Sequence, residues 1–293
     1  METKKLTFYN GNHDAFIKAY KFHIQILTKK WANIQSQVKK MKKDSTSKDI
    51  VTKFLQENAS TEPPKPYVVK INFSQPNQIK DPILSLENIE FGYDLTNILF
   101  QEINLNLCAN DKITIVGKNG VGKSSLLKIL GGYLNPTVGT IEKNSRVRIG
   151  MYDQHVADVL PVDKTPVSYI NNISTDIDSR KILGSIGLPG NTHTNTINTL
   201  SGGQKARVVL AGLVALNPHV LLLDEPTNHL DVESILSLIQ AINNFAGIVI
   251  MITHNIDVIQ KTNSTVYELK NKTLSKIDFE EYYENILEEI DEV

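Results

Sequence analysis

A glycine-rich stretch in the middle of the chain has the residue types that bind phosphate groups. Gly117 is followed by four residues and then by Gly122, Lys123 and Ser124, which is the spacing of a P-loop. Backbone N–H groups of such a loop and the N-terminus of the next helix surround phosphate oxygens. We expect Lys123 on the β- and γ-phosphates and the Ser124 hydroxyl on Mg²⁺. The complete candidate loop is Gly117, Lys118, Asn119, Gly120, Val121, Gly122, Lys123, Ser124 and Ser125.

Three further candidate residues follow apolar runs in the second half of the chain. Asp224 and Glu225 come directly after the apolar residues 220–223, and His254 follows the run 248–253. A carboxylate at the end of a buried strand, paired with a P-loop, is typical of a Mg²⁺ ligand, and the carboxylate after it is a candidate general base. We therefore predict that Asp224 holds Mg²⁺, that Glu225 orients or deprotonates water, and that His254 contacts the γ-phosphate.

A second candidate anion site lies between the P-loop and these carboxylates. Leu200 is followed by Ser201, Gly202, Gly203 and Gln204, which open an apolar-periodic helix. A serine and two glycines at a helix start again present N–H groups and the positive end of the helix dipole to an anion. This segment is the most specific motif in the chain.

The elements that must position these residues alternate between strands and helices. The pattern predicts strands at 84–91, 103–107, 113–116, 139–142 and 146–151, a mainly helical stretch at 166–188, and a helix from the Ser201 motif to residue 216. The fully apolar residues 220–223 predict a parallel strand that is buried on both faces, and residues 248–253 predict a second buried strand. A helix at 232–245, two closing strands and an acidic helix at 279–290 complete the region. The sequence thus predicts an α/β fold.

The N-terminal region has a different, helical pattern. Apolar and aromatic residues between Phe16 and Met41 are spaced alternately by four and three, as in a coiled-coil helix. A new helix start follows residue 44, and the apolar residues among 50–55 predict a short return helix. We expect an antiparallel hairpin whose tip carries Lys39, Lys40, Lys42, Lys43 and Lys48. Two interpretations of these lysines stay open: an anion-binding tip, or an ordinary solvated surface.

A proline-containing stretch separates the two regions. Between residues 58 and 82 the chain contains Pro63, Pro64, Pro66, Pro76 and Pro82, which favours an extended linker. We place the domain boundary near residue 80. The predicted domains are a basic hairpin arm with its linker at 1–80 and a nucleotide-binding domain at 81–293.

Composition narrows the class of protein. Of the 293 residues, 41% are hydrophobic and 22% are charged, which is typical of a globular protein. Residues 1–53 carry twelve lysines against four acidic residues, although the net charge of the whole chain is −1. The single cysteine, Cys108, favours a reducing compartment. Since the sequence contains neither a long apolar run nor the apolar core of a signal peptide, we expect a cytoplasmic protein without membrane insertion.

Taken together and in this order, the P-loop, the Ser201 motif, the Asp224–Glu225 pair and His254 resemble the ATP-binding cassette (ABC) superfamily. The resemblance implies a P-loop NTPase fold of ABC type, a mixed sheet with a helical subdomain, preceded here by the α-helical hairpin arm. It also implies ATP and Mg²⁺ as cofactors. By this resemblance Tyr93 stacks on adenine, Gln154 is a glutamine near Mg²⁺ and the attacking water, and Asp231 belongs to the loop after the catalytic carboxylates.

The motif from Asp224 to Asp231 resembles the ABC-F branch in particular. Tyr152 to His155 and Phe91 to Tyr93 are similar to the second cassette of its eukaryotic members, and the N-terminal region is similar to the helical linker between their two cassettes. ABC-F proteins are tandem-cassette ATPases that act on ribosomes. The resemblance therefore implies ATP hydrolysis by ATP-dependent cassette dimerisation, and a ribosomal RNA contact through the lysine-rich arm.

Two departures from the family pattern affect the expected partners. The sequence contains one set of cassette motifs, so a second cassette is expected in trans, from another copy or a separate chain. The arm carries no arginine before residue 53, which weakens the expectation of RNA contacts. Two alternative functions stay open: the ATPase subunit of an ABC transporter, and an ATP-gated binding module that does not hydrolyse ATP.

Overall fold

The computed structural model describes residues 13–44, 47–63, 68–80, 82–94, 97–153 and 160–291. The chain divides into two compact units, and the division lies between residues 67 and 68. This division lies thirteen residues before the boundary that the proline-containing stretch predicted. The difference arises because residues 68–80 are extended, as predicted, but pack onto the second unit.

The N-terminal unit is the expected helical hairpin. Helix α1 (His13–Lys43) is joined through residues 44–47 to helix α2 (Lys48–Glu57), whose start is capped by the Ser47 side chain accepting from the Asp49 N–H. Its small core contains Ile34, Val38 and Val51, with Trp31, Met41, Phe54 and Leu55 packed around it. Because apolar residues meet across the hairpin, the lysines at its tip are left exposed.

The second unit begins with the extended segment 68–80, which we call the strap. Alternate residues of the strap, Val69, Ile71 and Phe73, are buried in the main core. The Lys70 N–H donates to the Ser185 carbonyl at 2.6 Å, and the Ile71 N–H donates to the Ser237 hydroxyl at 2.8 Å. The strap therefore behaves as part of the folded unit.

Two sheets form the centre of this unit in the described residues. The strands are β1 (Leu84–Asp94), β2 (Asn97–Leu107), β3 (Lys112–Val116), β4 (Val138–Lys143), β5 (Ile149–Tyr152), β6 (Val220–Asp224), β7 (Ile248–Ile252), β8 (Thr265–Lys270) and β9 (Thr273–Ile277). Strands β2, β1 and β4 form an antiparallel sheet, whereas the larger sheet has the order β5-β6-β7-β3-β8-β9. Its strands are parallel except for β9.

Helices cover both faces of the larger sheet. They are α3 (Lys123–Leu130), α4 (Pro166–Ile173), α5 (Ser179–Ser185), α6 (Gly202–Leu216), α7 (Val232–Asn244), α8 (Ile256–Thr262) and α9 (Phe279–Asp291). Leu221 and Leu223 of β6 pack in the core shared with α4 to α7, while Val220 and Leu222 pack in the core shared with α3. The two buried apolar runs are therefore central strands with opposite faces in two cores, which confirms the predicted mixed α/β architecture.

Among the helices of the described residues, none combines the length and the apolar character that crossing a membrane requires.

Candidate functional site

The P-loop joins β3 to α3, as its sequence predicted. Gly117 and Gly122 have φ angles of 139° and 108°, a region that side chains rarely adopt. A Cβ atom on Gly117 would lie 2.5 Å from the Leu269 carbonyl oxygen, and one on Gly122 would lie 2.9 Å from the Phe100 ring. Glycine is required at both positions because the loop must turn tightly against its neighbours.

Lys123 is held over this loop by backbone carbonyls. Its Nζ atom donates to the carbonyl oxygens of Gly117, at 2.6 Å, and Lys118, at 3.0 Å. The side chain is only 7% exposed. Burial lowers the pKa of Lys123, while the negative charges of Glu225 and Asp224 act in the opposite direction. The ammonium group is therefore placed beside both carboxylates.

Asp224 and Glu225 follow β6 at the edge of the sheet where the P-loop also lies. Asp224 is 2% exposed, and burial raises its pKa, although a hydrogen bond from the Ser124 hydroxyl lowers it. Glu225 has a φ of 48°, and its N–H donates to the Ile252 carbonyl at 2.9 Å. Since non-glycine residues seldom adopt such a backbone conformation, Glu225 is turned into the cleft at some cost in strain.

His254 faces Glu225 across the cleft. Its Nε2 atom is 3.8 Å from Glu225 Oε1. Burial lowers the pKa of His254, and the positive charge of Lys123 lowers it further. For Glu225, burial raises the pKa, and the charge of Asp224 adds to this effect. The imidazole is accordingly neutral at pH 7, a form in which one ring nitrogen donates and the other accepts.

One cavity brings most of the predicted residues together. Its volume is about 820 Å³, which falls in the size range of ligand pockets. The residues that line it are Tyr93, Leu99, Asn119, Gly120, Gly122, Lys123, Ser124, Ser125, Asp224, Glu225, Asn228, Ile252 and His254. Leu99, Asn228 and Ile252 were not predicted. Leu99 and Ile252 belong to no sequence motif. Asn228 lies within the Asp224–Asp231 motif, so its position in the site could have been predicted.

Tyr93 lies at one end of this cavity. Its side chain is 67% exposed, its hydroxyl lies 3.1 Å from the Ser125 hydroxyl, and its ring packs edge-on against Phe91 at 5.1 Å. An aromatic ring fixed at the mouth of a phosphate-binding cleft can stack on a base, as the resemblance implied.

The Ser201 motif and Asp231 lie together but do not line this cavity. Ser201 caps α6 by accepting from the Gln204 N–H at 3.4 Å, and the Gln204 side chain accepts from the Ser201 N–H at 3.0 Å. A Cβ atom on Gly203 would lie 3.0 Å from the His229 carbonyl oxygen. Farther along α6, Arg207 forms an ion pair with Asp231 at 2.9 Å.

The remaining predicted residues contribute in other ways or fall outside the description. Gly117 and Lys118 hold Lys123 through their carbonyls, Gly202 opens α6, and Val121 packs against the core beside α3. Gln154 lies outside the described residues, so the structure says nothing of its position.

The residues at the inner end of the cavity fit a bound Mg²⁺. The buried Asp224 carboxylate and the Ser124 hydroxyl are adjacent oxygen donors, and Mg²⁺ in nucleotide sites takes one or two carboxylates together with phosphate oxygens. Within the described ranges, no group of three or more His, Cys, Asp or Glu side chains is arranged to hold a metal ion. The donor set therefore suits a metal that shares its ligands with a nucleotide.

Comparison with known proteins identifies the family of the chain. Residues 100–228 match the family described as ABC transporter. The ATP-binding cassette sub-family F member 2 of Bos taurus is 33% identical over 300 residues, which cover 94% of this chain and 47% of that protein. Protein GCN20 of Saccharomyces cerevisiae is 36% identical over 236 residues, covering 78% of this chain and 31% of that protein.

A solved structure shows the same fold. A dimeric ATP-binding cassette in a post-hydrolysis state, bound to ADP and Pi, matches with a TM-score of 0.57 at 22% identity, over 67% of this chain and 99% of that one. The present chain spans about half the length of the curated relatives that it matches. On these findings the chain carries an ATP-binding cassette and belongs to the F branch of the ABC family.

Proposed function

We propose that this protein binds and hydrolyses ATP in the cavity between the P-loop and β6. The observation that carries the proposal is the convergence of Lys123, Asp224, Glu225 and His254 on one cavity. A buried cation, a carboxylate beside a hydroxyl, and a carboxylate opposite a neutral imidazole are the groups that phosphoryl transfer to water requires.

Each of these side chains has a separate role in the proposal. Lys123 binds the β- and γ-phosphates, and Asp224 with Ser124 and Gln154 holds the metal. When bound, Mg²⁺ neutralises charge on the phosphate oxygens. Glu225 accepts a proton from water, whose oxygen attacks the γ-phosphorus as the bond to the β-phosphate oxygen breaks, giving ADP and phosphate. His254 donates to a γ-phosphate oxygen and keeps it in place.

The site requires a second cassette in this proposal. Ser201 to Gln204 and Asp231 do not line the cavity, yet the Ser201 motif has the features of an anion site. The solved relative is a dimer bound to ADP and Pi. We therefore propose that two cassettes close over ATP, with each Ser201 motif completing the other's site.

A direct test compares ATP binding by the wild type with that of a P-loop variant. Lys123→Ala is expected to weaken MgATP binding at least tenfold, since it removes the buried cation that contacts the phosphates. Lys276→Ala, which removes an exposed lysine on β9, serves as the matched control. Equal MgATP affinity in the Lys123 variant and the control, measured with a fluorescent ATP analogue, would count against the proposed site.

The arm supports a further part of the proposal, an association with ribosomes. Its tip presents five exposed lysines that project from a packed hairpin, and such a cluster attracts phosphate backbones. Replacing Lys39, Lys40, Lys42, Lys43 and Lys48 by Gln is expected to abolish ATP-dependent co-sedimentation with ribosomes. The control replaces Lys18, Lys21, Lys29, Lys30 and Lys53, the same number of lysines in the same unit.

A further inference from the structure

A second aspartate, Asp153, follows the strand that pairs with the strand of Asp224, although it does not itself line the cavity. Strand β5 pairs with β6 in parallel, with Tyr152 opposite Leu223. Asp153 follows Tyr152 exactly as Asp224 follows Leu223, so continued register places the two aspartates side by side on neighbouring chains, about 5 Å apart between Cα atoms.

Both aspartates also face the same helix. Ile149 and Met151 of β5 pack in the core beside α3, as does Leu222 of β6. Because side chains alternate along a strand, the next residues with the same orientation are Asp153 and Asp224. Both carboxylates therefore lie on the α3 side of the sheet.

Helix α3 contacts the two aspartates through residues one turn apart. Ser124 is near enough to Asp224 to lower the pKa of that carboxyl, and Lys128 Nζ lies 3.4 Å from Asp153 Oδ2. Residues at positions i and i+4 share one face of a helix, so two parallel links connect α3 to the ends of β5 and β6. The Asp153 side chain is 19% exposed and that of Lys128 is 37% exposed, so the ion pair is partly buried.

We propose that Asp153 is an additional carboxylate of the divalent-cation end of the nucleotide site, and that Lys128 is the residue that positions it. This inference rests on the proposed nucleotide binding at the P-loop. Asp153 acts on the cation as a nearby charge and as an acceptor for its bound water, while Lys128 fixes the carboxylate and limits its repulsion of the phosphates. Mg²⁺ retains several waters in such sites, and acceptors that hold those waters contribute to metal affinity.

The test measures how much a divalent cation strengthens nucleotide binding. The affinity of the full-length chain for a fluorescent ADP analogue is determined in Mn²⁺ and in EDTA. The affinity in Mn²⁺ divided by the affinity in EDTA, called the Mn²⁺ ratio, is then compared between variants. Asp153→Asn is expected to reduce this ratio about tenfold, as for other groups that support metal ligands. In EDTA it is expected to bind ADP as tightly as the wild type or more tightly, because a negative charge near the phosphates has been removed.

Two further variants make the assignment specific. Asp257→Asn breaks an ion pair with Lys261 at 3.3 Å on exposed α8, and as a matched control it should leave the Mn²⁺ ratio unchanged. In a Lys128→Gln background, the loss caused by Asp153→Asn should be smaller, because Asp153 is no longer held beside Asp224. The electron paramagnetic resonance spectrum of bound Mn²⁺ supplies an independent readout and should change in the Asp153 and Lys128 variants but not in Asp257→Asn.

The outcomes separate this inference from the function on which it rests. An Mn²⁺ ratio in Asp153→Asn within twofold of the wild type would overturn the inference while nucleotide binding stands. Equal loss of ADP binding in Mn²⁺ and EDTA would also overturn it, since the ion pair would then be structural only. A wild-type protein that binds ADP in neither condition would overturn the proposed function and this inference together.

Discussion

At the scale of single residues, the candidate catalytic carboxylate carries two costs: its backbone conformation is strained, and its environment opposes the ionised form of the side chain. Glu225 has a positive φ and is partly buried next to Asp224. Such costs are expected where function, and not stability, selects a residue.

This cost predicts a pH-dependent gain in stability for Glu225→Gln. Burial raises the pKa of Glu225 in the folded state above its usual value of 4.5, so the folded protein binds this proton more tightly than the unfolded chain does. The free energy of unfolding then decreases as the pH rises from the unfolded to the folded pKa, and it stays reduced above that range.

At pH 7.5 we expect Glu225→Gln to raise the free energy of unfolding by about 1 kcal/mol. The advantage should shrink as the pH falls through the raised pKa, and thermal unfolding at a series of pH values measures it. Glu284→Gln, which changes an exposed glutamate on α9, should show no such gain. A gain that is independent of pH would contradict the assigned cause.

At the scale of elements, the strap shows how local sequence and packing disagree. The proline-containing stretch to which it belongs predicted a linker, yet Val69, Ile71 and Phe73 alternate into the core of the second unit. A short segment with alternating apolar residues can either pack against a core or serve as an exposed linker. Sequence alone does not distinguish the two.

Truncating one strap side chain should therefore destabilise the whole cassette. Phe73 is 2% exposed and packs edge-on against Phe245 at 5.7 Å. Phe73→Ala is expected to lower the free energy of unfolding by about 3 kcal/mol or more. Unfolding in urea, monitored by circular dichroism, measures this loss. Val68→Ala, at a residue 55% exposed, is the control. If the two variants were equally stable, the strap would be a loose linker after all.

The start of α6 makes a different prediction. Ser201 caps the helix through two reciprocal hydrogen bonds, and in the proposed function it also binds the nucleotide of a second cassette. Ser201→Ala should cost about 1 kcal/mol of stability through the lost cap. It should leave MgADP binding by the isolated chain unchanged but reduce ATP turnover strongly. Unchanged turnover would remove the Ser201 motif from the reaction.

Much of the fold was predictable because long apolar runs and glycine motifs are local signals. Both central strands, the P-loop and the helix after Ser201 were predicted within a few residues of their observed ends. The register of β5 with β6 was not predictable, because pairing between distant strands leaves no local pattern. The positions of Leu99 and Ile252 in the lining of the cavity were missed for the same reason.

At the scale of the whole molecule, the cassette holds one half of each proposed ATP site. Residues of the P-loop line one cavity together with Asp224, Glu225 and His254, whereas the Ser201 motif lies elsewhere on the same unit. In the proposed function this arrangement is completed by a second cassette, so activity should depend on the concentration of that cassette.

The most direct test of this account is ATP turnover per chain as a function of protein concentration, for the wild type and Glu225→Gln, with the molecular size of each measured with and without ATP. We predict that wild-type turnover per chain rises with concentration, and that Glu225→Gln has lost turnover but becomes a dimer when ATP is present. Turnover by Glu225→Gln at the wild-type rate, or a variant that stays monomeric at saturating ATP, would contradict the account.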